Sequence, residues 1–489
     1  MSDTPSTELR TALADVAHMI EHKTWSQALE RLLDLKKGHP GHPHVLHLLG
    51  VVKRETGDLR GALESLSQAV AALPDNAVFQ LDLALLLKKR GTRLPAIERL
   101  TEAIRLDPGM AIARVHLGDL YMDLGRIDEA IDCFTAATRL KPGLIEAWIN
   151  LGLCQKSQNR LQDAFECFEN AVLRQPEHAE AHVNLALSSL MNGDYPQGWR
   201  EFEWRFKLER ENLLFPNLPL PRWHGESLKN RTLVLVGEQG FGDMIQFIRF
   251  AAPLAERGAR VVALVPTPLM RLFESAPGVA RVLNHTDFGE PIDCQIPILS
   301  LPGVLGTTIE TIPATPGYLK APEILDPALN GLLAGPGDKI GLIWSGKPLH
   351  ANDPLRRRSC TPADLAPLAR LPNARLFSLQ KPDPAGPPPA FPDGMEVTPL
   401  DGHLNDFAAT AAIMNRLDRI VTIDTAAAHL AGALGRPVAT LLPCAPDWRW
   451  GNHQDHTPWY DSMRLFRQSR HDRWEEPVQQ LVRELTNRV

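Results

Sequence analysis

Apolar positions in the first two-fifths of the chain recur every 34 residues. Leu32, Leu66, Leu100, Phe134, Phe168 and Phe202 hold one register, and Ala28, Ala62, Ala96, Ala130 and Ala164 hold another four residues earlier. Gly50, Ala84, Gly118, Gly152 and Ala186 form a third, small-residue register. Punctuation keeps the same beat: Gly57, Gly91, Gly125 and Gly193, with Asn159 in the gap, and Pro40, Pro74, Pro108, Pro142 and Pro176. This period predicts stacked helical hairpins, each burying its apolar face only against its neighbours. Small residues let two helices approach, Leu or Phe fills the groove, glycine or asparagine ends the first helix and proline closes the second.

The spacing resembles that of the tetratricopeptide repeat, with about six units between Leu9 and Asn212. The beat fails in the sixth unit, where Gly198 replaces the small alanine and Arg205 breaks the next register. A proline-rich stretch, Asn212 to Arg231, then reads as a boundary that packs through Trp223 and its leucines. Beyond it, short apolar runs alternate with helical patterns. Strands are predicted at Thr232–Gly237, Arg260–Val265, Lys339–Trp344, Arg375–Gln380, Arg419–Asp424 and Pro437–Leu442. Helices are predicted at Met244–Arg257, around Met270–Ser275, at Asn405–Asn415 and at Ala426–Leu434. Buried strands alternating with helices imply parallel sheets with right-handed crossovers. The expected fold is an α solenoid followed by an α/β module of two Rossmann-like lobes. The expected domains are 1–212 (repeats), 213–334 (linker and first lobe) and 335–489 (second lobe), with a cleft at the carboxyl ends of the strands.

Composition narrows the function classes. Net charge is −6, from 52 basic and 58 acidic residues, which offers no field for nucleic acid or an anionic membrane. The opening residues lack a basic start followed by a clean apolar run, and no apolar run is long enough to span a bilayer. Six scattered cysteines without a C-x-x-C pair fit a reducing compartment, so a cytoplasmic location is expected. No P-loop, H-E-x-x-H or G-x-S-x-G element occurs, which disfavours ATPase, zinc-protease and hydrolase chemistry.

Several strand ends carry candidate chemistry. In Gly237–Asp243 (GEQGFGD), Gly240 and Gly242 allow unusual backbone angles and close approach of a ligand. Asp243 is a candidate base for an attacking hydroxyl, with helix capping as its other reading and Glu238 as a rival base. In Asp424–Pro437 (DTAAAHLAGALGRP) the helix start offers unpaired N–H groups to an anion. There Thr425 adds a hydroxyl, and Ala426 and Ala427 keep the approach open. His429 falls on or beside the ligand face, or else in the core. Ser345, Gly346 and Lys347 suit a phosphate, and Arg356, Arg357 and Arg358 extend that basic wall. Gln380 stands at another strand end, placed to bond a nucleobase edge. The Trp-rich loop Asp447–Trp450 reads equally as a stacking surface or as a plug between lobes.

Two α/β lobes sharing a cleft resemble the GT-B glycosyltransferases. The pairing of G-F-G-D with D-T-A-A-A-H-L-A-G-A-L-G-R-P is similar to that in bacterial heptosyltransferases, over about Leu228 to Arg467. That resemblance implies an inverting transferase using a nucleotide-diphosphate sugar, with Asp243 as catalytic base. It also implies that Asp424, Thr425, Ala426 and His429 hold the donor diphosphate; the family usually carries glycine where Ala426 stands. Repeats followed by such a module resemble the O-GlcNAc transferases and bacterial repeat-containing transferases, some acting on flagellin. There, recurring asparagines hold an acceptor peptide, which points to Asn150 and Asn184, although His116, Asp82 and Leu48 occupy the equivalent upstream positions. The expected function is transfer of a sugar to a protein docked by the repeats, with no cofactor and no metal. The alternatives are a non-catalytic scaffold, or a transferase acting on lipopolysaccharide or another glycan.

Overall fold

The computed structural model describes residues 7–208, 218–238, 240–313, 315–323, 326–346, 358–382, 389–470 and 473–487. Six helical hairpins come first: α1 (Thr7–Glu21) with α2 (Trp25–Gly38), α3 (Pro43–Glu55) with α4 (Leu59–Ala72), and α5 (Ala77–Lys89) with α6 (Arg93–Leu106). They continue as α7 (Ala111–Asp123) with α8 (Ile127–Leu140), α9 (Ile145–Ser157) with α10 (Leu161–Arg174), and α11 (Ala179–Met191) with the shorter α12 (Tyr195–Phe202).

Backbone geometry explains the register of turns. Gly57, Gly91, Gly125, Gly193 and Asn159 all sit at positive φ, between 59° and 90°, and Lys23 takes the same place in the first hairpin at 56°. Side chains explain the small register. A Cβ on Gly118 would lie 2.7 Å from the Phe134 ring, and one on Gly152 would lie 2.6 Å from Phe168. Each glycine is therefore the socket for the large residue of its partner helix.

The α/β region opens with β1 (Thr232–Val236), α13 (Phe241–Phe247), α14 (Ala251–Glu256), β2 (Arg260–Leu264) and α15 (Met270–Phe273). It continues through β3 (Val279–Leu283), β4 (Cys294–Pro297), α16 (Leu301–Val304) and α17 (Pro327–Leu333). The second lobe holds β5 (Asp338–Ile343), β6 (Ala374–Ser378), β7 (Val397–Pro399), α18 (Phe407–Met414) and β8 (Arg419–Ile423). It ends with α19 (Ala426–Ala433), β9 (Val438–Leu442), β10 (Met463–Arg467) and α20 (Glu475–Thr486). One sheet has strand order β3-β2-β1-β4 and the other β10-β9-β8-β5-β6-β7, with every strand pairing parallel. Strand order reverses between β1 and β4 and again between β5 and β8, and crevices for ligands form at such reversals.

The chain divides into two compact units, residues 1–156 with 162–177, and residues 157–161 with 178–489. The boundary expected at 212 is thus displaced, because the sixth hairpin is built into the α/β unit. Trp199 Nε1 donates to the Thr307 carbonyl at 3.0 Å, and Tyr195 and Trp199 pack edge-on against Trp448. Arg205 stands where Ala69, Ala103, Ala137 and Ala171 stand in earlier units, and it is only 2% exposed. Its guanidinium meets both oxygens of Glu238, at 3.0 and 2.9 Å. The broken register is therefore a buried tie from the last hairpin to the first lobe. The 213–334 and 335–489 ranges do hold the two sheets, yet both line one continuous core that includes Leu235, Phe247, Ile343 and Leu430. The stretch before β1 packs as expected: Trp223 is buried, and its backbone N–H donates to the Gln295 carbonyl of β4 at 2.9 Å.

Candidate functional site

β5 and β8 are neighbours, with Ile343 opposite Thr422, so the turns leaving them start side by side at the reversal of the second sheet. Trp344, Ser345 and Gly346 leave β5, and Asp424 and Thr425 leave β8. Gln380, past the end of the adjoining β6, uses Oε1 to accept the N–H groups of Trp344 (3.2 Å) and Ser345 (2.9 Å). That bonding fixes the β5 turn, and Gln380 Nε2 donates to the Lys381 carbonyl at 3.3 Å. The Gly346 N–H donates to Ser359 Oγ at 3.2 Å, and a Cβ on Gly346 would lie 3.3 Å from the Arg358 guanidinium. Arg358 therefore brings the basic wall to this turn. Lys347, Arg356 and Arg357 lie outside the described residues.

Thr425 precedes α19 in extended conformation, φ −147° and ψ 172°, and its hydroxyl makes no capping bond. It reaches Thr422 Oγ1 at 3.4 Å instead, so the first-turn N–H groups receive nothing from the cap side chain. Asp424 is half-buried. Burial and then the Asp447 carboxylate push its carboxyl up to about 7, against the pull of Arg358 and Arg449.

The Gly237–Asp243 turn of the first lobe arrives at the same place. A Cβ on Gly242 would stand 2.7 Å from the His429 ring and 3.3 Å from Ala426 Cα, so the N-terminal turns of α13 and α19 touch there. Glycine is required at 242 for this approach, whereas Gly240 sits at an ordinary φ of −79°. The close approach that glycine was expected to give a ligand is taken by the other lobe. Gly242→Ala is expected to lower stability by about 1–3 kcal/mol, measured by chemical denaturation, because neither neighbour can yield cheaply. An unchanged midpoint would show that the two turns are not pressed together.

His429 proves to be a core residue. It is 5% exposed, its Nδ1 lies 2.9 Å from Tyr460 Oη, and its ring stacks on Trp450 at 5.1 Å. Burial, then the nearby Arg449 charge, push the imidazole down to about 3, so it stays neutral. Glu238, the rival base, is removed by its environment: it is 0% exposed and also accepts the Leu299 N–H at 2.9 Å. The Trp-rich loop forms a plug, with Trp448 and Trp450 buried.

Asp243 keeps partial access, its side chain 20% exposed. Oδ2 accepts the Gly240 N–H at 3.1 Å, so the capping role is filled. Oδ1 accepts from Arg449 Nη2 at 2.5 Å. Arg449, which the sequence does not single out, crosses from the second lobe and also donates to Asp447 (2.8 Å) and to Gln246 Oε1 (2.6 Å). Its one sequence signal is position: an arginine between two tryptophans just beyond a buried strand.

The two asparagines lie on α9 and α11 of the repeats. Asn150 Nδ2 donates to Asp119 Oδ1 at 2.9 Å, and Asn184 Nδ2 donates to the Glu180 carbonyl at 3.0 Å. Both amides thus have a partner among the helices, that of Asn150 on α7 and that of Asn184 on its own helix. Among the described residues no group of three or more His, Cys, Asp or Glu is placed to hold a metal ion, and no helix is long and apolar enough to cross a membrane.

The tetratricopeptide-repeat family matches residues 81–145 and 146–198. Protein FlbA of Caulobacter vibrioides is 27% identical over 327 residues, 58% of this chain and 51% of that protein. The chain thus spans about half the length of the curated relative it matches. Among solved structures, MamA is 26% identical with a TM-score of 0.31, covering 32% of this chain and 93% of its own. The pilF protein of Pseudomonas aeruginosa is 15% identical with a TM-score of 0.39, covering 42% of this chain and 92% of its own.

Proposed function

We propose that the chain is an inverting glycosyltransferase whose α/β unit has GT-B architecture and whose repeats dock a protein acceptor. One observation carries the reading: a carboxylate with partial access, Asp243, stands beside the α19 start, whose cap residue gives its N–H groups no side-chain bond. The donor diphosphate sits on that helix start, at the β5–β8 reversal, with Arg358 supplying positive charge. Lone-pair attack by an acceptor hydroxyl forms a new bond to the anomeric carbon from the face opposite the diphosphate. The anomeric C–O bond breaks, its electron pair leaves on the diphosphate, and the hydroxyl proton passes to Asp243. The configuration inverts because there is a single displacement. Tetratricopeptide repeats serve as protein-binding surfaces, which fits a protein acceptor.

A non-catalytic scaffold is the second reading, and one observation favours it: both oxygens of Asp243 are already bonded. A panel of nucleotide sugars scored by thermal unfolding separates the two. A donor present at about a hundred times its Kd adds about 2.7 kcal/mol to the native state and raises the melting temperature by several degrees. No shift with any member of the panel would leave the scaffold as the better account.

A further inference from the structure

Arg449 is a buried cation shared between two carboxylates, and its two partners come from different lobes. Nη1 is held by Asp447 of its own loop, while Nη2 and Nε reach across to Asp243 and Gln246 on α13. Its guanidinium carbon lies over the Trp448 ring, 4.4 Å from the centroid. The neighbourhood is rich in acid for a place proposed to take a diphosphate: Asp243, Asp424 and Asp447 all act on Arg449. One detail marks the arrangement as incomplete. Gln246 is fully buried, and its Nε2 has no hydrogen-bond partner although its Oε1 is taken by Arg449.

Resting on the transferase reading above, we infer that Arg449 is a positioning residue that exchanges partners when the donor binds. In the empty site it holds Asp243 and keeps that carboxylate occupied. When a nucleoside diphosphate group settles on the α19 start, the guanidinium turns from Asp243 Oδ1 to a phosphate oxygen. The distance is short, because Gly242, next to Asp243, already touches Ala426 of that helix. Oδ1 is then free to accept the proton of the incoming alcohol. The site is thereby protected from acting as a base before its donor has arrived, and the ion pair that favours the scaffold reading becomes the resting state of an enzyme.

Partner exchange makes an unusual prediction: the residue needed for turnover opposes donor binding. Titration calorimetry with ADP, GDP, UDP and CDP, at one pH and one salt concentration, tests it. Asp243→Asn is expected to bind the preferred diphosphate about tenfold tighter than the unaltered protein, since no ion pair need be broken first. Arg449→Gln is expected to bind about tenfold weaker or worse, and Arg449→Lys to fall between. The deciding variant is the pair Asp243→Asn with Arg449→Gln, in which the gain from the change at position 243 should vanish. A gain that survives there is plain relief of charge repulsion and overturns the exchange, as does an Asp243→Asn protein that binds no tighter. If Arg449→Gln fails to fold, the same comparison in the Arg449→Lys background decides, because lysine cannot bridge both carboxylates. Binding of none of the four diphosphates by the unaltered protein overturns the transferase reading itself, whereas binding without coupling between 243 and 449 overturns only the exchange.

Discussion

Sugar transfer by Asp243→Asn is expected to fall by roughly a hundredfold to ten-thousandfold, the usual share of a positioned general base. The fold should survive the change. An asparagine has a single carbonyl oxygen, which can keep the Gly240 N–H bond and so the start of α13, while the bond to Arg449 is given up. What is lost, under the proposed mechanism, is the group that takes the proton. Initial rates with a nucleotide sugar and the acceptor protein measure it, at saturating donor so that altered binding does not disguise the chemistry. Transfer at close to the normal rate would take Asp243 out of the reaction and leave it a helix cap.

The second large effect concerns stability. Glu238→Ala is expected to cost about 3–5 kcal/mol, because it removes the carboxylate that meets two nitrogens of a buried guanidinium and leaves a hole in its place. Arg205 is answered on every side in the intact protein: by Glu238, by Ser300 Oγ at 2.7 Å, by Glu203 at 2.8 Å and by the Phe202 carbonyl at 3.1 Å. Removing both charges differs from removing one. Arg205→Met combined with Glu238→Leu should recover much of the loss, since two desolvation penalties disappear together. Urea unfolding of the two variants checks the pair. A single variant as stable as the parent would mean that the tie contributes little.

The sequence displays the repeats and the central strands openly and hides the edges. Each strand predicted from an apolar run, such as those at Thr232, Lys339 and Arg419, lies inside its sheet with neighbours on both sides. Unforeseen strands β3, β4, β7 and β10 are the four edges. Central parallel strands are buried on both faces and read as continuous apolar runs; an edge strand such as VARVL keeps exposed positions, and VTP is three residues long. Site residues follow a similar division. Positions set by strand ends, such as Asp424, Ser345 and Asp243, are legible because a strand followed by a small-residue turn is a local pattern. Roles set by what arrives from elsewhere are not. Nothing near His429 announces Tyr460 or Gly242, and nothing near Asp243 announces an arginine 206 positions downstream. The broken register at Arg205 is visible; its partner 33 residues on is not.

The membership of the sixth hairpin decides where this chain can be cut. Trimming at the point where the repeat rhythm ends, near Leu208, would carry off Tyr195, Trp199 and Arg205. The remainder would show a bare aromatic face around Trp448 and keep Glu238 without its counterion, and such a fragment invites aggregation. A fragment starting near His178 takes those side chains with it. For crystallisation, or for grafting the α/β half onto a foreign solenoid, the seam belongs one hairpin earlier than the repeat count suggests.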